Sequence, residues 1–213
     1  MTQAANIFAK REIAQFFPTC LWTHELRGHA ALNDRLVKEL HALRDVDKEH
    51  DPRDGAWQSG TNLHQMEAFR PLTQAFAAAT AGVLDFLKSR YERFDVTSCW
   101  ANINYRGESA RVHTHPNNFL SGVYYVRAPK NCGDIVFQDP RRQAVVLIPS
   151  VSEWTPYNAS TNSITPQEGS LLLFHSWFQH MVEANRSEEE RISIAFNVML
   201  RGSVGHTSGR AVF

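Results

Sequence analysis

In RISIAFNVML (191–200) the even positions Ile192, Ile194, Phe196, Val198 and Leu200 are all large and apolar. The odd positions are Arg191, Ser193, Ala195, Asn197 and Met199. A period of two predicts a strand with one buried face. Its other face carries a guanidinium, a hydroxyl and an amide, which suits either solvent or the wall of a polar pocket. Further β-rich runs separated by turn signals precede it: FDVTSCWANINY, ARVHTH, SGVYYVR, GDIVFQD, AVVLIP, SLLLFHS and HMVEA. About eight short strands in succession predict an antiparallel sandwich or jelly roll, here over residues 93–213.

The period changes upstream, in residues 1–92. FFPTCLWTHEL, aromatic and with Pro18 near its start, reads as a first strand. ALNDRLVKELHALR places Leu32, Leu36, Leu40 and Leu43 at helical spacing. DKEHDPRDGAWQSGTN, punctuated by Pro52, Gly55 and Gly60, reads as loop. From Met66 to Tyr91 a helical stripe joins Phe69, Leu72, Phe76, Val83, Leu87 and Tyr91, with Pro71 in the first turn. No repeat, low-complexity tract or linker divides the chain. The expectation is one mainly β domain, 1–213, with the N-terminal helices packed outside the β core.

Composition narrows the function classes. The 22 basic and 22 acidic residues cancel, so no basic field argues for a nucleic-acid partner. Cys20, Cys99 and Cys132 are odd in number and form no C-x-x-C, which argues against a disulfide framework or a cysteine zinc site. MTQAANIFAKREIAQFF lacks a secretory pattern, and no apolar run approaches the roughly 18 residues of a membrane span. A cytoplasmic protein with free thiols is expected.

Candidate chemistry lies in RVHTHPNNFLSGVYYV (111–126). His113 and His115 are two apart, so on an extended chain both imidazoles point to one face. SLLLFHSWFQHMVEA adds His175, at the end of one strand, and His180, at the start of the next. His24, His29, His41, His50, His64 and His206 lie in helical, loop or terminal contexts and read as structural or solvent-facing. Three neutral imidazoles can bind a first-row divalent ion and leave positions open for water or substrate.

The order His113-Thr114-His115, then His180, then Arg191-Ile192-Ser193 resembles the Fe(II)/2-oxoglutarate-dependent oxygenases. The likeness spans about residues 99–200, with a weaker echo in FPTCLWTHEL, and more narrowly the chain resembles a small bacterial and phage branch with prolyl-hydroxylase-like features. It implies a double-stranded β-helix, that is, the jelly roll of the strand pattern. It also implies Fe(II) on His113, His115 and His180, with 2-oxoglutarate and O₂ as cosubstrates. Arg191 would pair with the distal carboxylate of 2-oxoglutarate, a forked contact that lysine cannot reproduce. Ser193 would donate to the same carboxylate, and Tyr105 and Tyr125 stand where such members place tyrosines near the cosubstrate. Asn102, Asn104 and Asn197 are further pocket candidates. The implied reaction hydroxylates a small-molecule or peptide substrate and releases succinate and CO₂.

The pattern departs from the family where most members place a carboxylate, because His115 stands there. His115 can itself ligate; Asp134 or Asp139 can supply a carboxylate from elsewhere; or the register shifts by two, with His115 first and Asn117 second. A three-histidine zinc hydrolase or lyase is an alternative, although it leaves R-x-S without a role. A non-catalytic, cupin-like metal- or anion-binding protein is another. The segments 152–167 and 51–62, with Trp57, Trp154 and Tyr157, are expected at the pocket mouth. A monomer or a homodimer fits the chain equally.

Overall fold

The structure, a computed structural model, describes residues 10–47, 55–141, 146–205 and 209–212. Its elements are β1 (Leu21–Glu25), α1 (His29–Val46), β2 (Trp57–Gln58), α2 (Arg70–Phe86), β3 (Arg93–Asn104), β4 (Ala110–His113), β5 (Leu120–Arg127), β6 (Ile135–Gln138), β7 (Thr161–Ile164), β8 (Ser170–His175), β9 (His180–Val182), β10 (Arg191–Arg201), β11 (Ser203–Val204) and β12 (Ala211–Val212). A six-stranded sheet has the order β1-β8-β5-β10-β3-β2, and a four-stranded sheet the order β4-β9-β6-β7. From β3 onward the chain passes back and forth between the two, and all paired strands of both sheets are antiparallel. This is the double-stranded β-helix. β11 and β12 form a separate ribbon.

Alternation along β10 assigns the two faces. Ile192, Ile194, Phe196 and Val198 are fully buried in one cluster with Leu36 and Leu40 of α1 and Phe76 and Leu84 of α2. The Phe76 and Phe196 rings stack at 3.9 Å. Gly122 on β5 makes room for them, since a Cβ there would lie 2.4 Å from the Phe196 ring. A polar clamp ties α1 to the same sheet: the Tyr124 hydroxyl donates to Asn33 Oδ1 at 2.6 Å, and Asn33 Nδ2 donates to the Val126 carbonyl at 2.9 Å. The opposite face of β10 is not solvent-exposed, for Arg191, Ser193 and Asn197 are all buried. A smaller apolar cluster between the two sheets, with Val123, Tyr125, Ile135, Phe137, Leu172 and Phe174, explains why.

Three sequence expectations need correction. The helix expected from Met66 begins at Arg70, after two short 3₁₀ turns, and ends at Phe86, which leaves Tyr91 outside it. AVVLIP is not a strand over 146–149, where Val146, Leu147 and Ile148 are exposed; its first two residues lie outside the described ones. The edge strand is instead β7, from the polar TNSI, held by backbone pairing to β6 with Ile164 as its apolar anchor. Within the expected loop 47–62, Trp57–Gln58 pair with β3, while 48–54 lie outside the described residues. Among the described residues no helix is long and apolar enough to cross a membrane.

Candidate metal centre and its cavity

β4 ends on His113 and β9 begins on His180, and the two are register partners. The chain beyond β4 stays near, because the His115 backbone N–H donates to the Ser176 carbonyl at 2.9 Å. One ligand atom from each of His113, His115 and His180 lies within 4.8 Å of the other two. His113 Nδ1 is 2.7 Å from the Arg111 carbonyl, and His180 Nδ1 is 2.9 Å from the Phe178 carbonyl. A carbonyl only accepts, so each Nδ1 carries the proton and each Nε2 keeps a lone pair for a cation. Burial pushes His115 and His180 down to about 4, and repulsion from neighbouring imidazoles adds to it. Both rings are therefore neutral near pH 7, the protonation state a metal requires.

The competing ligands fall away from this cluster. His175 points to the other side of the six-stranded sheet, among Trp22, Phe119 and Trp177. Asp139 is ion-paired with Arg141 at 2.7 Å, and neither it nor Asp134 belongs to the cluster. Asn117 sits in an exposed turn with φ 63° and lines a separate surface hollow. Of His24, His29, His41 and His64, His41 meets Glu190 at 2.7 Å; His50 and His206 lie outside the described residues.

The three imidazoles line a cavity of about 570 Å³ together with Tyr125, Arg191 and Ser193. Arg191 is only 2% exposed. Among the described residues its hydrogen-bond partners are backbone carbonyls, Cys132 at 2.6 Å and Glu183 at 3.3 Å, not carboxylates. Desolvation accordingly pulls its pKa down. Ser193 is on the same face of β10, in register with Tyr125 of β5. Burial raises the Tyr125 phenol, opposed by the nearby Arg191 charge.

Two expectations about the lining are corrected. Tyr105 does not reach the cavity: it follows Ile103 on the opposite face, packs on the helix-side core, and its hydroxyl accepts from Arg44 Nη1 at 3.1 Å. Asn197 lies in a buried network, accepting from the Ser121 hydroxyl at 2.7 Å and donating to Ser98 Oγ at 3.0 Å. Asn102 and Asn104 do line the cavity. Of the expected mouth residues, Trp57 is buried with its indole N–H on Asp47 at 2.9 Å. Trp154 and Tyr157 border a different hollow beside Asp139 and Arg141. Trp100 and Gln58, not singled out beforehand, line the histidine cavity instead. Parity was the available signal for Trp100, since it shares a strand face with Asn102 and Asn104.

Residues 98–197 match the sequence model of the family described as "Putative 2OG-Fe(II) oxygenase". A search of curated protein sequences finds no match. Solved structures share the fold. A Pseudomonas putida prolyl-4-hydroxylase is 18% identical, with 86% of this chain and 94% of that one covered at a TM-score of 0.61. HygX from Streptomyces hygroscopicus, solved with nickel and 2-oxoglutarate bound, is 12% identical over 85% and 83% of the two chains at 0.61. SnoN, a non-heme alpha-ketoglutarate-dependent epimerase from nogalamycin biosynthesis, is 13% identical over 90% and 80% at 0.62.

Proposed function

We propose that this chain, a member of the 2OG-Fe(II) oxygenase family through residues 98–197, holds Fe(II) on His113, His115 and His180, binds 2-oxoglutarate through Arg191, and hydroxylates a small-molecule or peptide substrate. The observation that carries this reading is a buried guanidinium that shares one cavity with three clustered imidazoles and whose hydrogen-bond partners, among the described residues, are backbone carbonyls. A buried charge hydrogen-bonded to no carboxylate, with Glu108 acting on it only at longer range, is costly, and a dianionic ligand would relieve that cost.

The residues fit the metal. Nitrogens on one ion at about 2.0–2.1 Å lie no more than about 4.2 Å apart, so small side-chain rotations close the cluster onto a cation. The two Nδ1–H to carbonyl bonds orient rings that present Nε2. The site is all-imidazole, with His115 standing in for the carboxylate of the commoner 2-His-1-carboxylate set. Three neutral ligands leave the ion its full charge, which favours an anionic cosubstrate.

When bound, iron and 2-oxoglutarate supply an O₂-dependent oxidation in which one oxygen atom goes to substrate and the other to succinate, with release of CO₂. The chain positions and excludes. Arg191 offers its fork to the distal carboxylate, with its remaining N–H groups anchored by the Cys132 and Glu183 carbonyls. Ser193 and Tyr125, paired across β10 and β5, supply hydroxyl donors to the same end. Val123, Phe174 and Val182 give the cavity an apolar wall that limits water near the ion.

Anaerobic titration of the metal-loaded chain with 2-oxoglutarate tests the reading. A visible metal-to-ligand charge-transfer band is expected with Fe(II). Arg191→Ala should weaken 2-oxoglutarate on the order of 100-fold, the cost of a charge-assisted pair, with metal affinity retained. Zinc retention without a chelate band would favour the three-histidine hydrolase reading. Equal loss of metal and 2-oxoglutarate would make Arg191 a structural residue.

A further inference from the structure

The cavity face of the six-stranded sheet is a grid whose rows follow from the register. One row runs Gln58, Asn102, Ser193, Tyr125 across β2, β3, β10 and β5. The next runs Trp100, Ala195, Val123. The cosubstrate anchors occupy the β10–β5 side of this grid. The β3–β2 side presents an indole and three carboxamides, of Gln58, Asn102 and Asn104, to the same cavity. Small Ala195 keeps the middle of the second row open, and the Trp100 ring lies 5.8 Å from that of His115, so the indole stands beside the metal ligands.

The carboxamides are uncommitted. Buried amides elsewhere in this chain are tied down: Asn33 to Val126 and Tyr124, Asn185 to Asn104 and Glu189, Asn197 to Ser98 and Ser121. Among the described residues the side chains of Gln58, exposed at the edge of the sheet, and of half-buried Asn102 and Asn104 make no such bond to protein, although all three line the cavity. Among the described residues no Asp, Glu or Lys lines it, and the one permanent charge is Arg191. A carboxamide offers a donor and an acceptor side by side, which matches a flat group with the complementary edge, such as an amide, a lactam or a pyrimidinone. An indole beside it offers such a group a stacking surface.

We propose that Trp100, Asn102 and Gln58 form the substrate subsite, and that it selects an uncharged, planar group bearing an amide-type donor–acceptor edge. The proposal rests on the oxygenase reading for the placement of 2-oxoglutarate on the opposite side of the cavity. Among the described lining residues an anionic substrate group would find no second cationic side chain, and a cationic group no carboxylate.

Three probes of similar size and different charge test it: benzamide, benzoate and benzylammonium, titrated by ligand-observed NMR into the full chain loaded with Zn(II) and 2-oxoglutarate, which cannot turn over. Benzamide should bind at least about fivefold tighter than either ion, roughly one net hydrogen bond. Asn102→Ala and Trp100→Ala should each weaken it by about three- to tenfold and leave 2-oxoglutarate affinity unchanged. Asn102→Asp should shift the preference toward benzylammonium, an inversion that a merely structural role for Asn102 does not produce. Benzamide without measurable binding, a preference for either ion in the unaltered chain, or variants that leave the selectivity untouched would overturn the subsite. If 2-oxoglutarate itself fails to bind, the oxygenase reading falls first, and the two failures are told apart in the same samples.

Discussion

His113 and His180 are cross-strand partners of β4 and β9, with their ring centroids 4.4 Å apart. Strand pairing, more than any loop, sets this approach: the residues meet where β4 ends and β9 begins. A bulge between Ala110 and His113 adjusts the turn of the pair. His115 joins from just beyond the strand, and one ligand atom of each of the three lies within 4.8 Å of the others, a grouping that could hold a cation.

Removing one ring should therefore cost most of the metal affinity. His113→Ala, His115→Ala and His180→Ala are each expected to weaken Fe(II) or Zn(II) on the order of 100-fold or more, more than the roughly 10- to 100-fold seen for outer-shell partners. Metal stoichiometry after desalting, read by elemental analysis, checks this. Full retention by His115→Ala would reassign the third ligand.

The metal-free protein should lose stability as pH falls. His115 and His180 titrate at about 4 when folded, against roughly 6.5 when unfolded. Between those values the unfolded chain binds more protons, so stability decreases from about pH 6.5 down to about 4 and rises with pH across the same window. Thermal melts of EDTA-treated protein should show this slope, and it should be shallower in His115→Gln/His180→Gln.

Gly133 controls the seat of Arg191. Its φ is +86°, and a Cβ there would lie 2.4 Å from the Glu183 carbonyl oxygen, one of the two acceptors that hold the guanidinium. Gly133→Ala is expected to weaken 2-oxoglutarate about tenfold with metal affinity unchanged, as a displaced carbonyl re-aims the fork. Parallel calorimetric titrations of metal and cosubstrate separate this from general unfolding, which would lower both.

Gly122 answers to packing rather than chemistry. A methyl group there would press on the Phe196 ring at 2.4 Å and on the Leu172 carbonyl at 2.9 Å. Gly122→Ala should destabilise the fold by about 1–3 kcal/mol, the range for overpacking. Phe196→Leu in the same chain should recover part of the loss in denaturant melts.

Periodicity by itself determined the β-rich core, the direction of each face of β10, the amphipathic helices, and the shared face of His113 and His115, because side-chain direction follows locally from backbone repeat. Likeness of motif order pointed to iron and 2-oxoglutarate. Tertiary structure alone decided which candidates meet. Tyr105 and Tyr125 looked alike along the chain, yet sheet pairing turns one toward Arg44 and the other into the cavity. β7 exists because β6 offers it a ladder, although TNSI has little strand signal of its own. His180 reaches His113, and Gln58 reaches Asn102, only through strand register, which joins residues far apart in sequence and leaves no trace in the spacing of either.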